Sequence, residues 1–68
     1  MKPVSGKRMA RILKKRGWLL IRTKGSHHAY QHPGNPNTII VPVHGNKDLK
    51  PGTQHAIMKD ASLTEDDL

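Results

Sequence analysis

Between Trp18 and Val43 the chain alternates runs of large apolar and β-branched residues with breaks rich in Gly and Pro. Such punctuation marks short strands joined by turns, and it constrains the fold more than any other feature. Trp18 to Thr23 is the first run, Lys24-Gly25-Ser26 reads as a tight turn, and His27 to His32 is the returning strand. Pro33-Gly34-Asn35-Pro36 closes that strand, and Thr38 to Val43, with Ile39, Ile40 and Val41 in succession, gives the strongest strand signal. Pro42 cannot donate to a ladder, so it belongs at a strand end or on an edge. Helical patterns flank the block. Ser5 is placed to cap a helix running to Arg16, with Gly17 as its stop. On that helix Met9, Ile12 and Leu13 share one side, Lys7, Arg11 and Lys14 share the other, and Arg8 widens the cationic side. After a loop at Gly45-Asn46, a second helix starts near Pro51 and continues to Ala61, with Ala56, Ile57 and Ala61 as its apolar side. Thr64 is placed to cap a last turn containing Glu65, Asp66 and Asp67. The expected fold class is therefore α+β in the order α-β-β-β-α, a three-stranded antiparallel sheet with two helices packed on one face.

A chain of 68 residues makes one small domain spanning residues 1–68. A chain of this size buries only about 60% of its unfolded surface, so the core is two thin layers. No apolar run approaches the ~20 residues of a membrane-spanning helix, and lysines and arginines break every apolar stretch before Gly17. The chain has no cysteine, which removes disulfides and thiolate metal sites. A soluble cytoplasmic protein is the expectation. Charge is spread unevenly: nine of the twelve Lys and Arg lie in residues 1–24, and no Asp or Glu precedes Asp48. With a formal net charge of +7, nucleic acid is the expected partner, because cationic side chains that neutralise phosphates release counterions. A solvated basic face that only maintains solubility is the plainer alternative.

Into this basic setting the Gly25-Ser26 turn delivers two imidazoles, His27 and His28. Histidine titrates near pH 6.5 as a residue type, so it can take or give a proton near neutrality. RNA carries its own nucleophile, the 2′-hydroxyl, beside the scissile phosphorus. A base and cations that stabilise the phosphorane then suffice without a metal or other cofactor. Arg22 and Lys24 are placed to supply positive charge, and the Gly25 and Ser26 amides to contact a phosphate oxygen. Neighbouring strand residues point to opposite faces. His28 shares a face with Tyr30 and His32, and His27 with Ala29 and Gln31. If the lone phenol Tyr30 packs inward, His28 leans toward the helices and His27 toward the open side. His28 and His32 are four apart, roughly 13 Å along a strand, which does not suit a shared metal ion. His44 follows the third strand and either approaches the turn or caps an edge; His55 is expected to be exposed on the second helix. Trp18 either stacks on a base or fills the core, and core is the commoner use.

Val4-Ser5-Gly6-Lys7, Gly17-Trp18, Lys24-Gly25-Ser26-His27-His28, Tyr30, His32-Pro33, Val41-Pro42-Val43-His44 and Lys50-Pro51-Gly52-Thr53 together resemble the HicA toxin family. The resemblance runs in order along nearly the whole chain. It implies a fold like that of a double-stranded-RNA-binding domain and the activity of a messenger-RNA interferase, an endoribonuclease working without a metal cofactor in a type II toxin–antitoxin system. It also implies a HicB-like antitoxin that binds the toxin and covers its active surface. The family's catalytic histidine lies in Gly-Ser-His, which places the role on His27, with His28 in reserve. Lys7, Arg11, Lys14, Arg22, Lys24, Gly25 and Ser26 are the expected RNA contacts. Gln54 departs from the family, which usually has an apolar residue after Gly-Thr, and weaker packing of the second helix is expected there. A non-catalytic RNA-binding module and an adaptor for an acidic protein are the rival readings.

Overall fold

The computed structural model of the protein describes all 68 residues. Its elements are α1 (Gly6–Lys15), β1 (Leu19–Lys24), β2 (His27–His32), β3 (Asn35–Pro42), α2 (Pro51–Asp60) and a short 3₁₀ turn at Glu65–Asp67. The three strands form one antiparallel sheet in the order β1-β2-β3. Met9, Ile12 and Leu13 of α1 and Ile57 and Met58 of α2 join Tyr30, Ile39 and Val41 of the sheet in one buried cluster. Both helices therefore cover the same face. Ile40, between two buried neighbours on β3, is 44% exposed on the other face. The α+β, α-β-β-β-α architecture is as expected. No helix is long and apolar enough to cross a membrane.

Local chemistry explains where α1 begins and ends. Ser5 Oγ accepts a hydrogen bond from the Arg8 N–H at 3.0 Å, satisfying one of the unpaired amides of the first turn. Gly17, at φ +89°, takes the left-handed conformation that follows the helix. Gly6 has a different task. A Cβ on this buried residue would overlap the Pro42 carbonyl oxygen, so only glycine lets the first turn of α1 lie against the end of β3. Trp18, just past the helix, is a core residue.

Three expected details are corrected. The break at Pro33-Gly34-Asn35-Pro36 is shorter than it reads: β3 starts at Asn35 and takes in Pro36. The strand tolerates Pro36 and Pro42 because it is an edge of the sheet, where one row of backbone groups has no partner strand. On α2 the buried residues are Gln54, Ile57 and Met58, and Ala56 is exposed. With half-buried Ala61 these make a helical stripe at i, i+3, i+4 and i+7 that the polarity of Gln54 disguises. Gln54 does not loosen the packing. Its Nε2 donates to the Lys2 carbonyl at 2.6 Å and its Oε1 accepts from the Val4 N–H at 3.2 Å. A buried amide with both ends satisfied ties the N-terminal segment to α2.

His32 belongs to this scaffold too. Its Nδ1 accepts from the Gly34 N–H at 2.8 Å, so Nε2 carries the proton and donates to the Arg16 carbonyl at 3.1 Å. The ring also lies 5.4 Å from that of Trp18, tilted by 57°. One imidazole thus fastens the end of α1 to the β2–β3 hairpin. The acidic 3₁₀ turn closes the same side: Arg16 pairs with Asp67 at 3.0 Å, and Arg8 donates to the Leu68 carbonyl at 2.7 Å.

Candidate functional site

The hairpin between β1 and β2 is as tight as a hairpin can be. Lys24 pairs directly with His27, leaving Gly25 and Ser26 as a two-residue loop. Gly25 has φ +58° and Ser26 is not left-handed, which is the type II′ pattern with glycine at the first position. Neither loop residue donates its backbone N–H within the chain, so both amides at the tip are free for an external acceptor. The Ser26 carbonyl is used: it accepts from the Val43 N–H at 2.7 Å.

Strand parity then separates the two imidazoles. Tyr30 is buried in the core, so His28, two residues before it, faces the helices and is half-buried. His27 faces away and is exposed. Residues paired across strands share a face, so His27 stands beside Lys24 on β1 and Pro42 on β3.

A β-bulge decides where the strand cations go. Leu20 pairs with Tyr30 and Arg22 with Ala29, leaving Ile21 without a partner. Simple alternation would put Arg22 and Lys24 on the face of Leu20, toward the helices. The extra residue turns them over, and they join His27 on the open face. All three side chains are exposed.

The other expected contacts gather elsewhere. Lys7, Arg11 and Lys14 of α1 line a groove of about 270 Å³ with His28, Leu20 and Tyr30. Burial pushes the Tyr30 phenol up from its ordinary value, so it stays neutral beside these cations. The expected site residues thus form two groups on either side of the hairpin. His27, Arg22, Lys24 and the Gly25-Ser26 tip make one, and His28 with the α1 stripe makes the other. None of the five cations is within ion-pair distance of a carboxylate; the only ion pairs are Arg16–Asp67 and the N-terminal amine with Glu65. Unpaired and exposed, they are available to a polyanion. No three His, Asp or Glu side chains converge where a metal ion would sit. His44 and His55 are exposed.

Residues 6–63 match the model of a protein family described as HicA toxin of bacterial toxin–antitoxin. The chain belongs to the HicA toxin family. No curated protein matches it. Membership gives this HicA chain a toxin's role and an antitoxin as partner.

Three features that shape this HicA site escape a reading of the sequence for motifs. Gly6 sets α1 against the end of β3, and its one signal is a glycine directly after the helix cap. Gln54 looks like a polar intruder on α2, although its spacing from Ile57 and Met58 marks a buried position. The bulge at Ile21 has no local signal at all, since Leu19-Leu20-Ile21 reads as an unbroken strand.

Proposed function

We propose that this protein is an endoribonuclease, a messenger-RNA interferase that cleaves RNA by transphosphorylation with His27 as the proton-transfer group. The observation that carries the reading is an exposed imidazole held beside Lys24 at the tip of a hairpin whose two loop amides are free. In the proposed step His27 takes the proton of the 2′-hydroxyl as that oxygen attacks phosphorus. Lys24 and Arg22 stabilise the charge that builds on the phosphoryl oxygens, and the Gly25 and Ser26 N–H groups bind one of those oxygens. The 2′-hydroxyl is supplied by the substrate, so the reaction needs no metal ion, and DNA is not cut. Lys7, Arg11 and Lys14 hold the backbone on the other side of the hairpin, where His28 is the reserve for the protonic role. The antitoxin in this reading is HicB-like, covers the open face, and denies RNA access to His27.

The test is cleavage of single-stranded transcripts in excess chelator by wild type, His27→Ala and His28→Ala. Loss of about 10²–10⁴-fold in rate is expected for His27→Ala, the range for removing a general base. Undiminished cleavage by that variant, with loss in His28→Ala, would move the role to the reserve residue. RNA binding that depends steeply on salt, without scission by any of the three proteins, would leave only a binding module.

A further inference from the structure

Cleavage through the 2′-hydroxyl requires two proton transfers, and His27 makes only one of them. As the P–O5′ bond breaks, the departing 5′-oxygen must gain a proton, delivered from the side of phosphorus opposite the attacking oxygen. Three nearby groups come into question. His28 lies on the other face of the sheet, in the α1 groove. Lys24 is directly across from His27 and is engaged with the phosphoryl oxygens in the proposed step. His44 is different.

His44 lies just beyond β3. Pro42 is the cross-strand partner of His27, and the Val43 N–H bond to the Ser26 carbonyl carries the ladder one residue past the strand end. His44 follows at the position diagonal to His27, and diagonal backbone positions in a continuing ladder stand about 7–8 Å apart. Side chains reaching out from positions so related can approach one phosphodiester from two sides. Pro42 and His44 also line one depression of about 380 Å³ with Lys47, Lys50 and Thr53. Asp48 is its only carboxylate, and no carboxylate lies within ion-pair distance of His44. The depression therefore offers two ammonium groups and a hydroxyl to the nucleotide on the leaving side of the bond. His44 is exposed, and its ring is committed to no hydrogen bond within the protein.

We infer that His44 is the general acid of the reaction, the counterpart of His27 on the leaving-group side. This rests on the proposed nuclease activity and adds a second catalytic residue to it. The balance is complete. Neutral His27 accepts the 2′-OH proton, the 2′-oxygen bonds to phosphorus, the P–O5′ bond breaks, and the imidazolium of His44 gives its proton to the 5′-oxygen. The products are a 2′,3′-cyclic phosphate and a 5′-hydroxyl.

The test uses an oligonucleotide in which the linkage cut by the wild type carries either the natural 5′-oxygen or a bridging 5′-sulfur. A thiolate leaves without a proton. His44→Ala is expected to lose about 10²–10⁴-fold on the oxygen substrate and to cleave the sulfur substrate near the wild-type rate. His27→Ala is expected to be slow on both. Thermal melts check that each variant folds. Equal loss by His44→Ala on both substrates means that it only positions RNA, and no loss means that it has no part; either result overturns the inference while the nuclease assignment stands. Wild type that cuts neither substrate removes both.

Discussion

The two faces of the β1–β2 hairpin carry similar residues in different settings. On the open face His27 is exposed beside Arg22 and Lys24, with the free amides of the tip at its edge. On the helix face His28 is half-buried in a groove walled by Lys7, Arg11, Lys14, Leu20 and Tyr30. An exposed imidazole can swing onto a phosphodiester and away again. A half-buried one is held against its neighbours and suits binding better than proton shuttling. The pair His27-His28 is thus divided by one step of strand geometry into an exposed face and a half-buried one, which the proposed function uses for reaction and for binding.

Exchange of roles between the two histidines breaks this division most directly. His27→Ala is expected to abolish most cleavage with little change in melting temperature, because the side chain is exposed. His28→Ala is expected to weaken RNA binding more than turnover, measured as KM against kcat. The reverse pattern would erase the distinction between the faces.

Gly6→Ala tests how closely α1 is seated on the end of β3. The added methyl meets the Pro42 carbonyl, and overpacking of this kind costs about 1–3 kcal/mol. For a domain of this size each kcal/mol lowers the melting temperature by roughly 4–8 °C. A melting temperature equal to wild type would show that α1 has room to move off β3.

Gln54→Leu sharpens the account of α2. An apolar residue there would stabilise a weakly packed helix. The structure instead predicts a loss of about 1–3 kcal/mol by urea denaturation, because the buried Val4 N–H loses its acceptor.

Single alanine substitutions of Lys7, Arg11 and Lys14 come next. Each is expected to reduce the slope of log K against log salt by about 0.7 for single-stranded RNA, leaving kcat unchanged. A drop in kcat without a change in slope would place that cation with the reacting group.

The smallest effect concerns Asp67, far from both histidines. The Thr64 N–H, together with Arg16, holds its carboxyl below the ordinary value of 3.8. A depressed value in the folded state means the stabilisation is full above the unfolded value and fades as pH falls through the lower folded one. Asp67→Asn should therefore be slightly less stable than wild type at neutral pH, and the two melting curves should converge below pH 3.8. A gap of the same size in strong acid as at neutral pH would mean that the charge of Asp67 contributes nothing.

Much of this arrangement is legible before any coordinates. Ser5 and Gly17 bound α1 because capping and left-handed termination are local chemistry. The parity of His27 and His28 follows from Tyr30, since a phenol ring in so small a protein goes inside. Errors arise where a distant partner overrides a local preference. Pro36 reads as a break, yet it lies in β3 because an edge strand does not need its missing N–H. Gln54 reads as a weak point in the packing of α2, yet it is buried and satisfied because Lys2 and Val4 complete its hydrogen bonds from about fifty residues away. Nor does the sequence divide the cations. Lys7, Arg11, Lys14, Arg22 and Lys24 look like one basic surface, and they belong to two.

Sequence alone determined the element order, the cationic character of α1 and the presentation of an imidazole pair by a glycine turn. Each depends on neighbours within a few positions, where backbone periodicity and residue chemistry are sufficient. Tertiary structure alone decided which cations accompany which histidine, and that His44 comes up beside the hairpin tip. Those outcomes depend on one unpaired residue at Ile21 and on the register of β2 with β3. Strand register is a property of pairs, and no single strand contains it.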